Sequence, residues 1–143
     1  MAEGQTSIAV EYLGRATFEI GPRVIVEAGP QGTRAIVPVV GGTFEGPKIQ
    51  ARLSPPAGDW ITMRPDCSYK LDVRVTWVTA DDAAILMTYS GIGHLTESGS
   101  TIRSAPLFEV GDPRYAWLNG IQAVGIGGRT GESLVVYEIY GLL

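Results

Sequence analysis

The run Leu71-Asp72-Val73-Arg74-Val75-Thr76-Trp77 alternates strictly between apolar and polar residues. Successive side chains of a strand point to opposite faces, so Asp72, Arg74 and Thr76 share one face and Leu71, Val73, Val75 and Trp77 the other. An Asp and an Arg two residues apart can pair. Withdrawn from water, such a pair can do chemistry: the carboxylate as a general base, the guanidinium as a partner for an anionic or carbonyl oxygen. The same spacing also describes a solvated outer stripe with an ordinary ion pair. Asp59, beside Trp60, offers a second carboxylate able to move a proton. Glu45 follows Phe44 in a glycine-flanked loop, where the glycines can equally serve tight turn geometry. Arg103, in an extended segment, is either a second anion contact or a surface arginine. Tyr115, Trp117 and Asn119 alternate at the start of a strand; they can line a ligand cavity, with Asn119 giving a directional hydrogen bond, or simply pack. Tyr89 and Tyr137 add phenols that can donate a proton, donate a hydrogen bond or fill a core.

Other chemistries lack their parts. One histidine, His94, and one cysteine, Cys67, cannot form a Cys/His zinc cluster. Asp81-Asp82 is too short for a calcium loop and reads as a turn. A Ser-His-Asp triad through His94 has no nucleophile motif around a serine. Gly125-Ile126-Gly127-Gly128 lacks the spacing and the strand-helix-strand context of a dinucleotide fingerprint. The expectation is therefore no metal, nicotinamide, flavin or nucleotide.

The elements that must position these residues are short strands. Nineteen glycines and nine prolines break the chain, and between them the apolar pattern has period two. Ile8 to Ile20 is one long strand, bent at Gly14. Ala35 to Val40 is an apolar run containing Pro38, which cannot donate to a ladder and so belongs at an edge or a bulge. Lys48 to Leu53 places Ile49, Ala51 and Leu53 on one face, and Asp59 to Met63 is a short strand. Tyr69 to Val78 and Ala83 to Tyr89 flank a hairpin turn at 79–82. Asp66 caps a turn. Gly91 to Ser100 reads as a glycine-rich loop and Ile102 to Phe108 as extended. Leu118 to Ile126 and Leu134 to Tyr140 are strands joined by a turn at 127–131. No sustained 3.6-residue apolar period occurs, so no helix longer than about three turns is expected. Many short, evenly spaced strands predict an all-β sandwich or barrel, in one domain spanning 1–143.

Composition narrows the partners. With 143 residues and 45% hydrophobic content a real core forms. Eleven basic against fifteen acidic side chains give a formal net charge of -4, and the only lysines are Lys48 and Lys70. That argues against a nucleic-acid surface, which needs clustered positive charge. No apolar run reaches the length of about twenty residues that spans a membrane. The first five residues lack the basic and apolar regions of a secretory leader, and one cysteine permits no internal disulfide. A cytoplasmic protein is expected. The apolar run Ala35 to Val40, read as an exposed edge, suggests a homodimer or larger assembly.

Several clusters, taken in order, resemble a known family. They are Gly41-Gly42-Thr43-Phe44-Glu45-Gly46-Pro47, Gly58-Asp59-Trp60, Arg64-Pro65-Asp66, Leu71-Asp72-Val73-Arg74, Pro113-Arg114-Tyr115-Ala116-Trp117-Leu118-Asn119 and Val136-Tyr137-Glu138-Ile139-Tyr140. Over about Tyr12 to Tyr140 the chain is similar to the family called domain of unknown function 3237. The resemblance implies a closed antiparallel barrel of the calycin or lipocalin kind, with little helix, and gives no reaction. It also favours a polar lumen, because it matches Asp72 and Arg74 more closely than their neighbours. The chain departs from the pattern in a shorter 91–100 segment, at Cys67 and Ala51 where glycines are common, and at Ile102-Arg103-Ser104.

Two functions fit. One is a cofactor-independent lyase, isomerase or cyclase acting on a carbonyl-bearing small molecule. There Asp72 or Asp59 moves a proton, Arg74, Arg103, Asn119 or a tyrosine such as Tyr89 holds the developing oxyanion, and Phe44, Glu45, Trp60, Tyr115, Trp117 and Tyr137 complete the binding surface. The other is a non-catalytic carrier of an apolar small molecule; an assembly module with no ligand is a third reading.

Overall fold

The computed structural model describes Gly4 and residues 6–143; the leader-free reading of the first five residues thus lies, apart from Gly4, outside the described residues. Ten strands form: β1 (Val10–Ile20), β2 (Val24–Gly29), β3 (Gly32–Glu45), β4 (Gln50–Met63), β5 (Ser68–Thr79), β6 (Ala84–Thr96), β7 (Gly99–Ser104), β8 (Leu107–Val110), β9 (Ala123–Thr130) and β10 (Leu134–Leu142). A 3-10 helix at Ala116–Gly120 is the one helical element among the described residues. Every ladder is antiparallel. The strands run β1-β10-β9-β7-β6-β5-β4-β3, and β3 returns to pair β1, so eight strands close into a barrel. β2 hangs on β3 outside this circle, and β8 continues the line of β7 along β6.

Local sequence explains how the circle closes. Tyr12 pairs Tyr140 but Gly14 pairs Ile139, which leaves Leu13 as an extra residue. The bulge reverses the pleat, so Val10 and Tyr12 are exposed although they share parity with the buried Ala16 and Phe18. Gly14 follows with φ +150, where a Cβ would stand 2.6 Å from the Glu45 carbonyl oxygen. Glycine therefore permits the β1–β3 contact. Pro38 sits at the start of a register shift in β3, next to Val39, where β3 changes partner from β2 to β1. A proline at such an irregularity matches the expectation of an edge or a bulge, and its carbonyl accepts the Gly21 N–H at 2.9 Å.

One end of the barrel is solid. Trp77 lies 5.3 Å from Phe18 and 5.6 Å from Phe44, ring centroid to ring centroid. With Ile49, Leu53, Ile85, Met87 and Leu118 these rings form a dry plug. Phe44, read as a possible ligand contact, belongs to this plug.

Other differences from the sequence reading have simple causes. The 91–100 segment is strand rather than loop: β6 and β7 run through it, and only 97–98 turn. His94 and Thr96 are the outward half of an alternation whose inward members are Gly93 and Leu95, and Ser100 lies on the inward face of β7. β9 continues to Thr130, so the turn is at 131–133. The stretch from Leu118 begins in the 3-10 helix. Ala35 to Val40 is no edge; it is flanked by β4 on one side and by β2 and then β1 on the other, with Ala35, Val37 and Val39 buried. The free edge belongs to β2, which was not foreseen. Among the described residues no helix is long and apolar enough to cross a membrane.

Removing the largest plug residue should show what the solid end contributes. Trp77→Ala is expected to lower the unfolding free energy by about 3–5 kcal/mol, the usual cost of deleting a large buried aromatic. Urea denaturation followed by circular dichroism measures it, and a loss below about 1 kcal/mol would contradict the packing described.

Candidate functional site

Above the plug the barrel is hollow. A cavity of about 480 Å³ opens toward the β1–β2 and β9–β10 turns. Its walls are mostly aliphatic, including Val37, Val39, Ile61, Leu71, Val73 and Ile102, and a few polar groups converge in it: Asp59, Tyr69, Tyr89, Tyr137 and Ser100, with Arg23, Arg129 and Glu132 at the mouth. An apolar cavity with a few fixed polar groups is the usual form of a small-molecule site.

The ladders position these groups in rows. Val37 of β3 pairs Asp59, Asp59 pairs Val73 and Val73 pairs Tyr89, so a carboxyl and a phenol stand on one ring of the barrel with a single strand between them. Two inward positions along β5, Tyr69 pairs Gly93, Gly93 pairs Ile102, Ile102 pairs Gly127 and Gly127 pairs Tyr137. Gly93 has a direct purpose: a Cβ there would fall 2.2 Å from the Tyr69 ring. The missing side chain lets Tyr69 lie flat against β6. Across the lumen Tyr89 and Tyr137 meet edge to face, 5.5 Å between centroids, and Tyr137 in turn rests 6.0 Å from Phe18 at the top of the plug.

Asp59 is the chemically distinctive member. It is 8% exposed, a rare state for an unpaired carboxyl. The pairing of β4 with β5 skips Trp60 and Ile61, between Asp59 opposite Val73 and Thr62 opposite Lys70. In that gap Asp59 Oδ1 accepts the backbone N–H of Asp72 at 3.0 Å. Burial pushes the Asp59 carboxyl up to about 7; the Asp72 N–H opposes that, and the Asp72 charge adds to it. Burial is also the main reason that the Tyr69, Tyr89 and Tyr137 hydroxyls are held above their ordinary value, and the charge of Asp59 raises all three further. At neutral pH the lumen thus presents three protonated phenols and a carboxyl that exchanges its proton readily.

The sequence-derived candidates divide sharply. Asp59, Tyr89 and Tyr137 come together in the cavity. Asp72 and Arg74 do not: their side chains are exposed on the outer face of β5, because Tyr69, Leu71, Val73, Val75 and Trp77 take the inner one. This corrects the expectation that both line the lumen; an apolar face wins the interior of a small barrel. Asp72 enters the site only through its main chain. Glu45 and Arg103 are likewise outside, the latter bonding the Ile102 carbonyl at 3.0 Å. Trp60 is exposed and folds over Gly58. Tyr115 precedes the 3-10 helix and donates to Asp81 Oδ1 at 2.7 Å, pinning that helix to the β5–β6 turn. Trp117 carries the Lys48 ammonium 5.1 Å above its ring. Asn119 clamps both the N–H and the carbonyl of Val110 at 2.8 Å. These three lie on the closed side of the molecule, because the segment is a helix end and not a lumen strand.

Five polar site residues were missed: Arg23, Tyr69, Ser100, Arg129 and Glu132. Tyr69 was legible, since it continues the apolar parity of Leu71 to Trp77. Ser100 and Arg129 fell in segments read as a loop and a turn. They face each other across β7 and β9, where Ser100 Oγ accepts the Arg129 backbone N–H at 3.0 Å. No ion pair forms to the Arg129 guanidinium among the described residues, and no group of three or more His, Cys, Asp or Glu among them is placed to hold a metal ion.

A family model described as "Protein of unknown function (DUF3237)" matches residues 8–142. A UPF0311 protein of Rhodopseudomonas palustris is 27% identical over 91% of this chain and 94% of its own. The "Hydroalkoxylation enzyme phnH" of Penicillium herquei is 27% identical over 81% of this chain and 72% of its own. Among solved structures, a "beta-barrel like protein" of Acinetobacter baumannii superposes with a TM-score of 0.89 at 26% identity, covering 99% of this chain and all of that one.

The raised Asp59 value has a measurable consequence for stability. The folded chain holds this proton up to about pH 7, whereas the unfolded chain releases it near 4. Stability contributed by the protonated form is therefore lost as pH rises from about 4 to about 7, and the loss is complete above that. Asp59→Asn can still accept the Asp72 N–H but carries no charge. It is expected to match the wild type at pH 4 and to exceed it at pH 8 by up to about 4 kcal/mol, since each tenfold change in proton affinity is worth about 1.4 kcal/mol. Denaturation at the two pH values measures this; an equal offset at both would contradict a buried, titrating carboxyl.

Proposed function

The chain belongs to the DUF3237 family, and on that footing we propose that it is a small-molecule enzyme of the barrel lumen: a cofactor-independent cyclase or isomerase that adds a substrate hydroxyl across a carbon–carbon double bond conjugated to a carbonyl. The observation that carries this reading is Asp59, a lone carboxyl poised near neutrality in an apolar cavity and faced by protonated phenols. A base works best with a pKa near the working pH, and a developing oxyanion needs fixed donors in a dry site. The name of the Penicillium herquei relative supports the reaction type.

The steps balance without a co-reactant. Ionised Asp59 takes the proton of the substrate hydroxyl. The oxygen attacks the β-carbon, a C–O bond forms, and the π pair moves to the carbonyl oxygen. A hydroxyl of Tyr89 or Tyr137 hydrogen-bonds that enolate. Asp59 returns its proton to the α-carbon, giving a cyclic ether isomeric with the substrate. Arg129 at the mouth attracts an anionic group on the far end of the molecule. The lone free thiol, Cys67, suits a reducing cytoplasm. A second reading, a carrier of an apolar ligand, draws on the aliphatic walls.

Probes of the 2′-hydroxychalcone type separate the two, because their ring closure to flavanones is an isomerisation visible in the ultraviolet. The wild type is expected to bind them and to accelerate closure at pH 7. Asp59→Asn should retain binding and lose about 100-fold or more in rate, while Asp72→Asn, whose side chain lies outside and whose charge only adds to the raised Asp59 value, should move the pH profile slightly downward and cost far less than that. Binding of the whole panel with closure only at the buffer rate would favour the carrier and end the cyclase reading. In the same assay a carboxylate on the remote ring is expected to lower KM, and Arg129→Gln to abolish that gain without changing kcat.

A further inference from the structure

β2 is the strand that the closed circle leaves over. One edge is bonded to β3; among the described residues the other edge makes no backbone hydrogen bond to any segment. Its centre is apolar on both faces, with Val24 63%, Ile25 46% and Val26 49% exposed. Natural edge strands are usually protected by lysine, proline, an inward charge or a bulge; Val24-Ile25-Val26 has none of these, and the one irregularity of β2 falls after it, between Val26 and Gly29. An unprotected edge of this kind calls for a cover.

The flanking charges say what covers it. Arg23 precedes the three apolar residues and Glu27 follows them, so Arg23-Val24-Ile25-Val26-Glu27 is complementary to its own reverse. If a second copy of this strand runs antiparallel beside it, with the two-fold axis at Ile25, every residue meets its match. Ile25 faces Ile25, Val24 faces Val26, and Arg23 faces Glu27, the last two pairs occurring twice. Opposite charges and β-branched residues directly across an antiparallel pair stabilise it, and like charges there oppose it. Other antiparallel registers put Arg23 against an apolar residue or against its own copy.

We infer that β2 is a dimerisation strand and that its partner is the β2 of a second copy of this chain, joined about a two-fold axis through Ile25. A closed two-fold contact of this type uses one patch twice and leaves no free edge. It also bears on the cavity. Ile25 pairs Ala35, a cavity-lining residue, and Arg23 itself lines the mouth. Arg23 and Ile25 therefore lie on the cavity side, and the two-fold pairing sets the partner's Glu27 against Arg23 near the mouth. The inference rests on the strand edge and not on the reaction proposed above.

Five residue pairs make a modest interface, so association is expected in the micromolar range. Sedimentation velocity from about 1 µM to about 100 µM should show the wild type passing from monomer to dimer. R23E sets carboxylate against carboxylate at both ends, and E27R sets guanidinium against guanidinium; each should weaken association at least tenfold. The double reversal, R23E with E27R, restores both pairs and should restore the dimer. Since β2 lies outside the closed barrel, circular dichroism should find all three variants folded. Ile25→Cys in a Cys67→Ser background should form an inter-chain disulfide under mild oxidation, because residues directly opposite in an antiparallel pair have Cα atoms about 4.5–5.5 Å apart. A monomer at 100 µM, a dimer indifferent to both single reversals, or the absence of the disulfide would each overturn the inference.

Discussion

Closure of the sheet is the constraint on which the rest depends. Eight strands can meet only if β1 approaches β3 closely, and the Leu13 bulge, the bare Cα of Gly14 and the partner change beside Pro38 all lie along that seam. Closure removes two edges at once and forces each strand to commit one face to the interior. Once that choice is made, the inward residues of β5 cannot be anything but Tyr69, Leu71, Val73, Val75 and Trp77. The charged residues between them are then displayed to solvent.

A carboxyl inside such a wall is expensive, and the structure shows how the expense is contained. Among the described residues Asp59 has no cation partner, which would fix its charge. It receives one backbone N–H from a place where β4 and β5 part. A single neutral donor leaves the group close to the balance point between its two protonation states, whereas a salt bridge would have taken it far below. The neighbouring phenols remain protonated over the same range, so the lumen holds donors and one exchangeable proton together.

Much of the fold was legible in the sequence: the period-two pattern, the bend at Gly14, the special place of Pro38, the turn at 79–82 and the Asp66 turn, where Asp66 Oδ1 accepts the Ser68 N–H. The site was legible only in part. Asp59, Tyr89 and Tyr137 could be named, but period two gives two faces and no sign of which is inside. Reading the polar face of β5 inward selected Asp72 and Arg74 and passed over Tyr69. Arg129 and Ser100 were hidden for a different reason. Gly93, Gly99, Gly125, Gly127 and Gly128 suggest loops, yet most of them allow strands to crowd: a Cβ at Gly128 would fall 1.9 Å from the Ser100 carbonyl oxygen. In a narrow barrel glycine marks close approach as often as it marks a turn.

The division of the barrel into a solid end and a hollow end has a consequence for how such a protein changes over time. Trp77 and Phe44 touch none of the cavity volume, while Val37, Ile61, Met63 and Leu95 line it. Phe18, Val39, Leu71, Val73, Ile102 and Tyr137 serve both the buried core and the cavity wall. Substitutions at Val37, Ile61, Met63 and Leu95 can therefore reshape the space for a ligand with little draw on the packing that keeps the chain folded. A barrel built this way can exchange one small molecule for another by drift at its open end, with its foundation left undisturbed.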